Sequence, residues 1–303
     1  MRCLESGDGS SDTRYTYNGL DQLLSLSTTQ NGETVAEKTF SYDENGNRIE
    51  EIDAEADVTT QYAYDPSNRL QTVTEEKTVV IEPDEDADDG ESELLEPQEQ
   101  VQKTLVQENT YDDEGQRISK AEGDAVTNYF RQGGANLLTT NAQDELVSFN
   151  LLSDAGKVIA TERPSETGAT FYYYIKDIHG STTDLIDAAG NAHTSYTYDV
   201  FGETTKYGDL ENEIAYTGAI YDEVTGQYYL NARYYDPSTV RFMSQDTYRG
   251  DIEEPDSTNL YAYCGNDPVN FEDPSGHKKK NIFKSLYATL SKRKSLIGVN
   301  VKH

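Results

Sequence analysis

Tyr42-Asp-Glu-Asn-Gly-Asn-Arg48-Ile49 and Tyr111-Asp-Asp-Glu-Gly-Gln-Arg117-Ile118 are the same sentence written twice. Tyr17-Asn-Gly-Leu-Asp-Gln-Leu23 and Tyr64-Asp-Pro-Ser-Asn-Arg69-Leu70 are close variants, and Tyr198-Asp-Val-Phe-Gly-Glu203 is a degenerate fifth. The shared pattern is Y-D-x-x-G-(N/Q)-R-(I/L), preceded by an alternating run such as Thr39-Phe-Ser-Tyr42. Alternation predicts a strand ending at the tyrosine, with its ring turned inward. Asp, Asn and Gly then make the turn, because Asp and Asn bond nearby backbone and Gly accepts positive φ. Arg and an aliphatic residue open the return strand. Such a hairpin is too thin to bury its own face, so stability must come from stacking on its neighbours. Tyr17, Tyr42 and Tyr64 are spaced by 25 and 22 residues; Tyr64 to Tyr111 is 47, one repeat plus an insertion.

Composition agrees with a repeat built on tyrosine. The 303 residues include 23 Tyr against 8 Phe, no Trp and 2 Met. A chain so poor in other large apolar groups must bury phenol rings whose hydroxyls find partners or water. The expectation from the residues alone is an all-β protein, extended rather than spherical, whose hairpins join edge to edge into a curved sheet, followed by a short basic helix. Residues 82–99 carry ten acidic and no basic side chains with two prolines. They read as a solvated insertion that cannot offset its ordering entropy, here bounded at 82–103. Repeats occupy 1–81 and 104–195, blurring after Tyr111.

Charge marks another boundary. The net charge is −31, yet from Lys278 onward there are eight basic residues and no acidic one. The acidic body repels nucleic acid and anionic membranes. Cys3 and Cys264 support neither a disulfide framework nor a zinc site. No cofactor is expected. His179 reads as a turn residue, since no second histidine or cysteine stands at ligand spacing; Asp43–Asn47 reads as a turn rather than a calcium loop. The first twelve residues lack the apolar run of a signal peptide and a repeat begins almost at once, which suggests a fragment or a truncated gene.

Residues 196–277 are the most informative. Phe201-Gly-Glu203, Tyr216-Thr-Gly218 and Tyr228-Tyr-Leu-Asn-Ala-Arg233-Tyr-Tyr-Asp-Pro237 occur in order. Arg241-Phe242, Asn259-Leu-Tyr-Ala-Tyr263 and Asp273-Pro-Ser-Gly276 follow. This series closely resembles the Rhs repeat-associated core of YD-repeat polymorphic toxins. The resemblance implies a hollow β-shell sealed by the core segment and enclosing a variable C-terminal effector. In many members a pair of aspartates frees that effector by self-cleavage. Carried onto this chain, the pair is Asp246 and Asp273, two carboxylates sharing a proton, one activating water and the other acting as acid. Arg241 stands where the family carries an implicated arginine, and the expected cut is His277–Lys278. Thr247 replaces the proline usual after the first aspartate, His277 replaces a leucine, and the spacer contains the acidic stretch 250–256.

The expected partners are the chain's own C-terminal cargo and the upstream repeats of a longer protein. Ile282, Phe283, Leu286, Tyr287 and Leu290 in the stretch 278–303 fall on one face of a short basic helix, read as the start of a truncated cargo. Two other readings use the same residues. The tyrosine-rich hairpins could bind glycans or a target-cell surface, and a chain with so few repeats could be an inactive remnant with open sheet edges.

Overall fold

The structure is a computed structural model, described here for residues 11–81, 98–166, 168–250 and 257–284. The chain divides into two compact units, Met1–Glu108 and Asn109–His303. In the first, the strands are β1 (Ser11–Tyr17), β2 (Leu23–Gln30), β3 (Glu33–Tyr42), β4 (Arg48–Asp53), β5 (Val58–Tyr64), β6 (Leu70–Ile81) and β7 (Gln98–Tyr111), the unit ending inside β7. In the second, β8 (Arg117–Glu122), β9 (Ala125–Gln132), β10 (Ala135–Thr140), β11 (Leu146–Leu152) and β12 (Val158–Ser165) come first. Then follow β13 (Gly168–Lys176), β14 (Thr182–Ile186), β15 (Ala192–Tyr198) and β16 (Thr204–Gly208). Each strand hydrogen-bonds to its sequence neighbours in an antiparallel meander from β1 to β16. The expected all-β class is what the chain adopts.

One turn is used nine times among the described residues. At Asn18, Asp43, Asp65, Asp112, Asn141, Ser153, Asp177, Asp187 and Asp199 the backbone N–H donates to the carbonyl four residues on. That residue's carbonyl in turn accepts from the N–H three residues on. Its side-chain oxygen accepts further backbone N–H groups of the turn, as Asp112 does from Glu114 and Gln116. Three residues later the backbone is left-handed, at Gly46, Gly115, Gly156, Gly180, Gly190 and Gly202, or at Asp21, Asn68 and Asp144. Asn and Asp tolerate that conformation better than other residues with a β-carbon. The repeat therefore continues undiminished through residues 135–192, where its tyrosine is lost and the sequence reads as blurred.

The turn fixes which side chain points inward. The residue five places after the Asx is buried at Leu23, Arg48, Leu70 and Arg117, each no more than 2% exposed. Its neighbours Ile49 and Ile118 are about two-fifths exposed (38% and 42%). The motif tyrosines are not the deepest rings. Tyr17 is 40% exposed, and Tyr42, Tyr64 and Tyr111 are only half-buried. The buried aromatic lies two residues earlier, at Phe40, Tyr62 and Tyr196. Residues i and i+2 share a face, but the strand-end position has less sheet above it.

The insertion is shorter than expected. Residues 98–103 belong to β7, where Gln98–Gln102 pair with Ile81–Lys77 of β6. Long alternating strands satisfy backbone groups that a solvated loop would leave to water. Residues 82–97 and the basic helix expected beyond 284 lie outside the described residues.

After β16 the second unit changes character. Short strands β17 (Ile220–Asp222), β18 (Gln227–Tyr229), β19 (Tyr234–Asp236) and β20 (Arg241–Phe242) form a small antiparallel sheet. Around it Ala215, Tyr216, Tyr228, Leu230, Tyr235, Phe242, Tyr263 and Cys264 pack as one core. Tyr235 and Tyr263 stack at 4.2 Å between centroids, and Phe242 meets Tyr235 edge-on at 5.9 Å. Aromatic contact of this kind replaces the missing aliphatic core. Finally β21 (Phe271–Glu272) pairs with β22 (Lys280–Asn281), closing a loop over residues 273–279.

Candidate cleavage site

The loop between β21 and β22 presents the expected scissile bond. Asp273 stands at its base and turns its Oδ1 back onto the loop's own amides. That oxygen accepts the N–H groups of Ser275 at 3.3 Å, His277 at 3.2 Å and Lys278 at 3.1 Å, and the Ser275 hydroxyl at 3.1 Å. The Asp-Pro-Ser-Gly turn thus delivers the nitrogen of the His277–Lys278 peptide to a buried carboxylate. Gly276 is required there. Its φ is +73°, and a Cβ would lie 2.6 Å from the Leu230 carbonyl oxygen.

Asp246 comes to the same place from the other side. Its backbone N–H donates to the Leu260 carbonyl at 3.0 Å, and its Oδ1 accepts the Tyr248 N–H at 2.9 Å. The same Oδ1 lies 2.8 Å from Nδ1 of His277. Both aspartates are buried, at 7% and 3% exposure, so desolvation must be met by donors.

The cation that supplies them is Arg233, not Arg241. Arg233 lies in the tight turn between β18 and β19. Its Nη2 donates to Asp246 Oδ2 at 2.8 Å and stands 3.9 Å from Asp273 Oδ2. Its Nε donates to the Gly276 carbonyl and its Nη1 to the Leu260 carbonyl at 2.8 Å. The guanidinium lies over the Phe242 ring, 3.6 Å from the centroid. Burial pushes its pKa down to about 10, against the opposing pull of Asp246 and Asp273. Arg241, in β20, instead donates Nη2 to Asn259 Oδ1 at 3.2 Å and sits over the Tyr261 ring.

Of the expected site, Asp246, Asp273 and the His277–Lys278 bond converge; Arg241 is not among their described contacts. The arginine that meets both aspartates lies in the Tyr228–Pro237 string. Its signal was the burial implied by four flanking tyrosines. His179 sits in an Asx turn, its N–H on Asp177 Oδ1 and its Nε2 3.1 Å from the Val269 carbonyl. Among the described residues no three His, Cys, Asp or Glu side chains converge as a metal site needs. Among them, too, no helix is long and apolar enough to cross a membrane.

Comparisons with known proteins bear on the family of the chain. Residues 100–269 match the family model for the Teneurin YD-shell, and residues 42–80 match the RHS Repeat. The tRNA3(Ser)-specific nuclease WapA of Bacillus spizizenii is 30% identical over 284 residues, covering 87% of this chain and 11% of that protein. The tRNA nuclease WapA of Bacillus subtilis is 29% identical over the same length and share. A crystal structure of TcdB2-TccC3 aligns with 88% of this chain and 19% of its own, at 17% identity and a TM-score of 0.32. An Rhs/YD-repeat protein is the class these observations define. The chain belongs to the Teneurin YD-shell family. It spans about a tenth of the length of the curated relatives it matches.

Proposed function

We propose that this chain is part of the β-shell scaffold of an Rhs-type toxin, and that it frees whatever follows residue 277 by a single cut at His277–Lys278. The observation that carries the reading is that two buried aspartates share Arg233 at one loop, Asp273 accepting the Lys278 N–H of the peptide and Asp246 meeting the His277 side chain. Asp246 takes a proton from water as its oxygen bonds to the His277 carbonyl carbon. Asp273, entering the step protonated, gives its proton to the Lys278 nitrogen as the C–N bond breaks. The products are a His277 carboxylate and a Lys278 amine. The site and the bond share one chain, so a high effective concentration compensates for a crowded site. The role of the enclosed cargo in the wider protein is an extension of the same reading, since the named nucleases are similar to this chain over a small part of their length.

Intact mass of the purified full chain tests it. Wild type should separate into residues 1–277 and 278–303, whereas Asp273→Asn and Asp246→Asn should remain whole. A wild-type chain that stays whole on prolonged incubation removes the catalytic half of the proposal.

A further inference from the structure

We infer that His277 is a latch on its own cleavage; the inference rests on the self-cleavage reading. An ionised carboxylate oxygen offers about two acceptor positions. On Asp246 Oδ1 they are taken by the Tyr248 N–H and by Nδ1 of His277, at 2.9 and 2.8 Å. The other oxygen, Oδ2, faces Arg233. A water can be activated at Oδ1 only when the imidazole swings away. It has room to do so, because the His277 side chain is 42% exposed whereas Asp246 is buried. A leucine at this position could not make the contact at all.

The latch is pH-dependent by its chemistry. An imidazolium carries a proton on Nδ1 and donates to Asp246 as one half of an ion pair. The neutral ring does so in only one of its two tautomers, and the other turns a lone pair toward the carboxylate. Of the charged groups at this loop, Asp246 bonds the ring directly, Arg233 of the β18–β19 turn is paired with Asp246, and Asp273 holds the backbone N–H groups of His277 and Lys278. Arg233 is already on Asp246, so the imidazolium adds a second positive charge to the oxygen pair that must act as base. Its loss with rising pH therefore frees the base.

The test follows loss of residues 278–303 from pulse-labelled full chain made by cell-free translation, for wild type, His277→Leu and His277→Gln, from about pH 5 to about pH 8. His277→Leu should cut at least about tenfold faster than wild type at the acid end, the scale of one hydrogen bond to a charged group. That ratio should fall toward one as the pH rises. His277→Gln, which bonds without charging, should run between them at a constant ratio to His277→Leu. Asp273→Asn in the leucine background should stop the cut. A wild type that stays whole while His277→Leu cuts is the strongest form of support. Equal or slower cutting by His277→Leu, or a ratio that ignores pH, overturns the latch alone. If no variant cuts, the self-cleavage reading has failed and the latch with it.

Discussion

Arg48 and Arg117 occupy the same place in the same motif, and they live in different chemical worlds. Arg48 is served from within its own unit. Its Nη1 meets Glu51 Oε2 at 3.1 Å, three residues away, and its guanidinium lies 5.0 Å from the centroid of the Phe40 ring. Glu51 is shared with Lys38 at 2.8 Å and with the Tyr62 hydroxyl at 3.3 Å. Arg117 reaches far along the sequence, within the second unit, to Asp222 of β17, both side chains fully buried. Nη1 and Nη2 take the two carboxylate oxygens at 2.5 and 2.9 Å, and the hydroxyls of Tyr234 and Tyr129 complete the shell. Lys120 adds a second cation, 3.3 Å from Asp222 and 3.0 Å from Glu213. Burial opposes the charge on Arg117, yet Asp222 holds its pKa well above the ordinary value. A repeat thus supplies an inward cation by geometry alone; what it pairs with decides whether it braces a hairpin or ties the closing segment to a strand.

Breaking the two pairs should separate these roles. Asp222→Asn leaves Arg117 buried without its carboxylate, while Lys120 keeps Glu213 and Glu122, and should cost about 3–5 kcal/mol in urea unfolding. Replacing both Arg117 and Asp222 by Met and Leu should recover more than half of that loss, since no lone Arg117 charge then remains buried. Arg48→Met should cost less, about 1–2 kcal/mol, because Glu51 keeps Lys38 and partial access to water. An Arg48→Met loss equal to that of Asp222→Asn would erase the distinction drawn here. At the small end, Ile49→Thr and Ile118→Thr should each change stability by less than about 0.5 kcal/mol, both being exposed strand positions that tolerate a β-branched polar residue.

The last pair explains where sequence reasoning succeeded and where it stopped. The hairpins, their antiparallel order and the closing segment were legible because Asp, Gly and alternating strands each encode a local conformation. Sidedness was not. Apolar-inside reasoning would bury Ile49 and Ile118, whereas the turn sets strand parity and carries Arg48 and Arg117 inward. The turns at Asn141 and Ser153 escaped because only an Asn or Ser and a left-handed residue survive there, a pattern too short to align. At the candidate site, Asp246, Asp273 and the His277–Lys278 bond were named from the string of motifs. Arg241 was named from its place in the resembled family, whereas the turn at Leu230–Arg233 folds Arg233 onto Asp246. Proximity along a chain of two-residue strands predicts little about contact. His277 could be seen as a departure from leucine, but its bond to Asp246 required the folded loop.

The account stands most directly on the identity of the new chain end. Mass measurement of the small fragment from wild-type protein should return residues 278–303, beginning at Lys278, with a first-order rate constant independent of protein concentration. A fragment beginning elsewhere, or one whose rate constant rises with concentration, would contradict a cut made by Asp246 and Asp273 on their own loop.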